Sequence, residues 1–286
     1  PSLGPVLGGY LVDNFHWSNI FLVNIPICVI AVILTLVYID RKEGEGANRR
    51  NMQIDYPGIL FLMVAVGGLQ FMLEKGESED WFNSKLINIC AFLFVGGLVA
   101  FIYRELNTKH PVVNIRIFQN QTFAMSSIFT LVGGFGLFTS VFVYPIMVQR
   151  INGLTPTETG LSLMVPTFLG VFLFPVIGRA LSKGAKPLPF MVFGILIYIV
   201  FGFIGGESTS EMGRWDFFPM QMLRVIGVSC LQMPLINQAV AGLKPNEYAS
   251  GISLTNMIRQ LGGAFGIAVA NNYATTRAAQ HRTDLL

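Results

Sequence analysis

Two arginines stand inside long apolar runs. Arg259 lies about ten residues into Ala249–Tyr273, and Arg224 about two turns into Phe217–Leu243. An arginine at the centre of a bilayer costs roughly 2.5–3.5 kcal/mol on insertion scales, so each should face protein or water. Gly251, Thr255, Arg259, Gly262, Gly266 and Ala270 form one stripe at spacings of three and four, and the opposite face is apolar. Arg259 can then be a fixed positive charge lining a cavity, or a structural arginine bonded to carbonyls freed between helices. Arg224 shares a face with Gln221, Val228 and Gln232, and Pro234 deprives the Cys230 carbonyl of its usual partner. That face can line a water-filled path, or Arg224 can reach lipid headgroups along its own stem.

A third polar stripe runs along Phe123–Val148: Ser126, Thr130, Gly133, Leu137, Ser140 and Tyr144. Thr130, Ser140 and Tyr144 could line a binding cavity for an apolar substrate. Packing through small residues explains the same pattern. Gly4 and Gly8 are four apart with Pro5 between them, which suits a close, bent helix contact.

Other chemistries lack their residues. The three cysteines (Cys28, Cys90, Cys230) lie apart in apolar runs, and the three histidines (His16, His110, His281) lie in loops without ligand spacing. No metal site, cofactor site, nucleophile arrangement or nucleic-acid signature is expected. Gly67-Gly68 and Gly96-Gly97 lack the lysine of a phosphate loop. No carboxylate lies well inside an apolar run; Asp55, Glu74, Asp216 and Glu247 fall at ends, with Asp55 read as a helix N-cap before Pro57. An enzyme is therefore not expected.

The elements that hold these residues follow from composition. Of 286 residues, 52% are hydrophobic and 12% charged, against roughly 25% charged in soluble domains. Mean hydropathy is +0.58. Lipid must solvate much of this surface. Runs of about 20 apolar residues predict helical crossings at Phe21–Ile39, Tyr56–Leu73, Leu86–Tyr103, Phe123–Val148, Thr159–Leu181, Leu188–Ile204, Phe217–Leu243 and Ala249–Tyr273, with Pro1–Leu11 as a partial one. They are too long and too unpatterned for barrel strands. The fold class is all-α integral membrane.

Lysine and arginine sort the loops. One alternate set carries eleven, including Arg41, Lys42, Arg49, Arg50, Arg179, Lys183 and Lys186; the other carries six, beside the acidic Glu74, Glu77, Glu79 and Asp80. The positive-inside rule puts the first set in the cytoplasm. Both chain ends then lie outside, which suggests a further helix beyond the C-terminus.

Gly4-Pro5-Val6-Leu7-Gly8-Gly9 resembles the antiporter motif at the end of the fifth helix of the major facilitator superfamily. Trp17–Pro26 is similar to the start of the sixth helix in its fourteen-helix drug:proton antiporter family, although Ser18 stands where members usually carry arginine. Asp55-Tyr56-Pro57-Gly58 resembles the start of the extra helix pair between the halves, and Asn256–Gly263 the thirteenth helix. Gly178–Gly184 is similar to the superfamily's Gly-x-x-x-Asp-Arg loop motif, with Ser182 at the acidic position, so a plain basic loop is the expectation there.

The resemblance implies an incomplete bundle, running from the end of the fifth helix through the thirteenth. It implies residues 1–54 as the end of the N-terminal bundle, 55–121 as the linker pair and 122–286 as the C-terminal bundle lacking its last helix. It further implies proton-coupled export of drugs or other amphipathic compounds by alternating access, in the bacterial inner membrane, with Gly4, Pro5, Gly8 and Gly9 as the antiporter motif. The proton-coupling acid of that family lies in its first half, outside this chain. A non-transporting scaffold or sensor is the alternative.

Overall fold

A computed structural model describes residues 3–38, 55–108, 113–209, 211–213, 215–244 and 247–284. The basic loop Arg41–Arg50, together with Lys109, His110 and Arg214, lies outside the described residues, as do the side chains of His281 and Arg282. Among the described residues there is no strand.

The helices are α1 (Gly4–Asn14), α2 (Asn19–Leu22), α3 (Asn24–Tyr38), α4 (Tyr56–Lys75), α5 (Lys85–Asn107), α6 (Gln121–Arg150), α7 (Pro156–Ser182), α8 (Pro187–Gly206), α9 (Phe218–Ala241) and α10 (Tyr248–Asp284). Among the described residues, six segments are long and apolar enough to cross a membrane: Asn19–Tyr38, α4, α5, α6, α7 and α8. The other two expected crossings form α9 and α10, which are as long but less apolar. They are the helices that carry Arg224 and Arg259. The sixth-helix region differs in detail, because a turn at Val23 separates α2 from α3.

Helix ends follow local chemistry. Asp55 caps α4 by accepting from the Gly58 N–H at 3.3 Å, with Pro57 in the first turn. Asn120 caps α6, its Oδ1 accepting from Thr122 at 2.9 Å and Phe123 at 3.3 Å. Thr155 and Glu158 cap α7 reciprocally: the Glu158 N–H donates to Thr155 Oγ1 at 3.2 Å, and the Thr155 N–H to Glu158 Oε2 at 3.0 Å. At its other end the Ala185 N–H returns to the Ala180 carbonyl and Gly184 takes φ +90°, a left-handed stop. Ser182 donates back to the Gly178 carbonyl at 2.8 Å, so the basic loop opens on an ordinary helix stop. The helix of α10 outruns its apolar stretch by eleven residues, from Tyr273 to Asp284, because Ala274–Arg282 still favours helix without being apolar.

Contacts group the residues into two compact units: 1–53 with 145–172 and 199–225, and 54–144 with 173–198 and 226–286. In the second, α4 and α5 pair tightly. A Cβ at Gly68 would lie 2.8 Å from the Cys90 carbonyl oxygen, and one at Gly97 would lie 2.9 Å from the Ala65 nitrogen. Glycine permits that backbone approach. Leu69 and Leu73 of α4 then bury against Ala264 and Ala268 of α10. A further cluster joins Ile117 and Phe123 to Ala239, Leu243 and Leu254.

Candidate functional site

In the larger unit, α6 is the helix that the others share. Gly133, Gly134 and Gly136 lie on different sides of it, since each residue turns the helix by about 100°. A Cβ at Gly133 would meet the Leu235 side chain of α9 at ordinary contact distance. Gly134 lies against the Arg259 carbonyl of α10, so close that a Cβ would collide with it. Gly136 faces the Tyr198 ring of α8, whose hydroxyl donates to the Gly136 carbonyl at 2.6 Å. The Asn120 amide ties the start of α6 to the end of α9 by donating to the Gly242 carbonyl at 2.6 Å.

The small-residue stripe of α10 packs on α6. A Cβ at Gly262 would collide with the Leu131 carbonyl, and one at Gly266 with Thr139. Thr255 is buried and donates to the Gly251 carbonyl on its own helix. The Arg259 side chain is half-buried. Its Nη2 donates to Asn256 Oδ1 at 2.9 Å, while its buried Nε has no hydrogen-bond partner among the described residues. Of the two sequence readings, bonding to freed carbonyls does not account for the Asn256 bond, which goes to a side chain one turn back.

On α6 itself, Thr130, Ser140 and Tyr144 are all buried. Ser140 donates to the Leu137 carbonyl at 2.8 Å and is thereby satisfied within the helix. Ser127 Oγ and Thr130 Oγ1 have no partner among the described residues. An unsatisfied buried hydroxyl costs about 1–3 kcal/mol. Water or a polar ligand group would relieve that cost. Gln232 of α9 is half-buried.

Arg224 belongs to the other unit, where it is 7% exposed. Its Nε donates to Gln221 Oε1 at 2.6 Å, and Gln221 is fully enclosed. A guanidinium held this way does not reach out to headgroups. The expected Gln221–Arg224 face is therefore a buried polar pair.

The Gly-Pro segment also lies in that unit. A Cβ added at Gly4 or Gly8 would meet none of the described residues of another helix within 4 Å. Close approach falls to Gly9, which is buried against the Pro156 carbonyl of α7, and to Gly160 of α7, which lies against the Pro5 carbonyl. Pro5 is the second residue of α1 as described, and its carbonyl is the part of it that meets α7. Asp13 fastens the seam by accepting from both the N–H (2.8 Å) and the hydroxyl of Thr157.

Sequence reasoning missed one charged pair altogether. Asp55 caps α4 and also accepts from Arg104 Nε at 3.2 and 3.1 Å, with Arg104 Nη2 3.1 Å away. The Arg104 guanidinium, more than the opposing effect of burial, holds the Asp55 carboxyl below its ordinary 3.8; the Gly58 N–H adds to the lowering. Glu105, the next residue along, is buried and accepts from the Val113 N–H at 3.3 Å. Among the described residues no group of histidine, cysteine and carboxylates could hold a metal.

Comparison with known proteins shows the family. The Major Facilitator Superfamily model matches residues 1–267. The multidrug export protein EmrB of Escherichia coli (strain K12) is 32% identical over 289 residues, covering 100% of this chain and 55% of the relative. The fatty acid resistance protein FarB of Neisseria gonorrhoeae is 32% identical over 287 residues, covering 99% and 55%. A multidrug resistance protein B homolog of Mycobacterium tuberculosis is 27% identical over 274 residues, covering 94% and 49%. The chain thus spans about half the length of the curated relatives it matches. Its apolar helices make it a multi-pass integral membrane protein, and the match across residues 1–267 shows that the chain belongs to the major facilitator superfamily.

Proposed function

We propose that the whole protein is a secondary active transporter of the bacterial inner membrane. It exports drugs or other amphipathic compounds by alternating access, in exchange for protons. The observation that carries this reading is the half-buried guanidinium of Arg259, well inside α10 and held only by Asn256 among the described residues. An apolar membrane helix retains such a charge at a cost of several kcal/mol, and substrate pathways are where that cost is met. The buried, unpartnered hydroxyl of Thr130 and the buried pair Arg224–Gln221 support it, as do the names of the relatives. Ser140, Tyr144 and Gln232 complete the set of cavity candidates, and Gly4, Pro5, Gly8 and Gly9 form the antiporter motif. Midplane sites between helix bundles are the usual arrangement in such transporters.

The division of labour follows the same reading. Residues 1–54 end the N-terminal bundle, 55–121 form the linker pair, and 122–286 form the C-terminal bundle. The glycine-tight pairing of α4 with α5 supports treating them as one inserted hairpin. A scaffold or sensor role draws no support from the relatives. Reconstitution tests the transport reading. The whole protein in liposomes should move an amphipathic dye when a proton gradient is imposed, and should not do so once the gradient is collapsed. Dye movement that ignores the gradient would remove proton coupling, and absence of movement would remove transport.

A further inference from the structure

A cavity of about 340 Å³ lies where the C-terminal turns of α4 meet α6 and α10. That is within the usual size range of small-molecule pockets. Its floor is apolar, with Leu73, Phe142 and Ile267. Its polar lining is Gln70, Glu74 and Asn271, and among the described residues no lysine or arginine lines it. The Asn271 amide nitrogen is already engaged, donating to Glu77 Oε2. The Asn271 carbonyl oxygen can accept from a guest. The Glu74 carboxylate is an acceptor as well, and the face of an aromatic ring such as Phe142 attracts cations.

The Glu74 carboxylate, the Asn271 oxygen and the apolar floor ask for the same guest. Acceptors without a balancing positive charge favour a group that donates hydrogen bonds and carries positive charge. An apolar floor favours a hydrocarbon body. We infer that this cavity is a binding site for a small amphipathic amine in its protonated form, its ammonium at Glu74 and Asn271 and its apolar body over Phe142 and Ile267. The site lies apart from Arg259, so a cation need not pass beside a guanidinium to be bound. The inference concerns binding and does not depend on the proposed transport.

The test uses the whole protein in nanodiscs of phosphatidylcholine alone, with tritiated 4-phenylbutylamine as probe. 4-Phenylbutanol and 4-phenylbutyrate serve as neutral and anionic competitors. The amine should bind saturably, and both competitors should be at least tenfold weaker. Glu74→Gln should weaken binding about tenfold. Ile267→Trp, which fills the floor while leaving every polar group in place, should also weaken it. Glu79→Gln, in the same acidic stretch but outside the cavity, should leave it unchanged. Equal losses in the Glu74 and Glu79 variants would overturn the inference, because general surface charge would then be the cause. Equal binding of alcohol and amine would overturn it too. If phosphatidylethanolamine in the nanodisc abolishes binding, the natural occupant is a lipid headgroup and the free-amine site is rejected. Loss of proton-driven dye movement with amine binding intact would strike only the transport reading.

Discussion

Gly134 of α6 and Gly262 of α10 are reciprocal: each lies on the other helix's backbone. A Cβ at Gly134 would strike the Arg259 carbonyl, and a Cβ at Gly262 would strike the Leu131 carbonyl. Each glycine sits three residues after the carbonyl that its partner meets. Neither helix can add a methyl group here without separating from the other. Because the Arg259 backbone is itself the contact, this crossing fixes the height and direction from which the Arg259 side chain departs.

Overpacking a tight contact costs about 1–3 kcal/mol. Gly262→Ala should lower the thermal unfolding midpoint of the purified whole protein in detergent, and Gly134→Ala should do the same. Once one substitution has separated the helices, the second has less to disturb. The double variant should therefore lose less than the sum of the two single losses. Simple additivity would show that the two glycines do not share one contact. Gly4→Ala and Gly8→Ala in this chain add a methyl group to faces that meet nothing within 4 Å, and should leave the α1–α7 seam intact, whereas Gly9→Ala should disturb it.

The Asp55–Arg104 pair has a definite pH signature. The folded carboxyl titrates below its ordinary value, so the pair contributes stability above about pH 4 that is lost as pH falls through the lowered folded value. Arg104 is 44% exposed, so water screens the interaction and the effect is small. Wild type should lose more of its thermal midpoint between pH 6 and pH 3 than Asp55→Asn does. The comparison between the two proteins removes the contribution of other carboxylates. Identical losses would show that the ion pair does not stabilise the fold.

Much of the architecture is legible in the chain because a bilayer demands about 20 apolar residues per helix, and that demand repeats visibly. What sets the partners of a helix is less legible. Gly4 and Gly8 carry the spacing of a close contact, and within this chain Gly9 is the glycine of that segment that meets another helix, because spacing reveals a face without revealing what lies opposite. Gly262 and Gly266 carry the same spacing and do make it. Arg259 stands out as a lone charge in an apolar run, whereas Asn256 drew attention only as part of a motif, although its place three residues earlier is where a helical side-chain partner belongs. Asp55 and Arg104 are 49 residues apart. A pair so distant leaves no periodic trace, and Asp55 is fully accounted for as a cap without it. Tyr198, which bridges α8 to α6, carries no charge and sits in a run of apolar residues, so nothing in the chain singles it out.

The charge asymmetry of the loops gives an orientation that labelling can check. Lys183→Cys, just past the end of α7, should resist a membrane-impermeant thiol reagent added to intact cells. Ser78→Cys, in the acidic stretch after α4, should react. Both positions are exposed, so access decides the outcome. The three native cysteines are replaced by serine beforehand, and transport of the resulting parent confirms that it folds. Strong labelling at Lys183→Cys with none at Ser78→Cys would invert the orientation.

The role of Arg259 is separable from its contribution to folding. Its side chain is bonded to Asn256 and its backbone carbonyl packs against Gly134 at the α6 crossing, and a substitution of the side chain alters only the first. In the whole protein, Arg259→Ala should therefore leave the amount of folded protein close to wild type while efflux per folded molecule falls at least tenfold. Arg259→Lys keeps the charge but loses the planar fork of donors. It should recover part of the efflux if charge is what the pathway needs. Asn256→Ala keeps the guanidinium but removes its anchor, and should reduce efflux less than Arg259→Ala does, because the charge stays and only its position loosens. If folded protein falls in step with efflux in Arg259→Ala, the arginine is structural. Unchanged efflux at normal folding would remove it from the transport path.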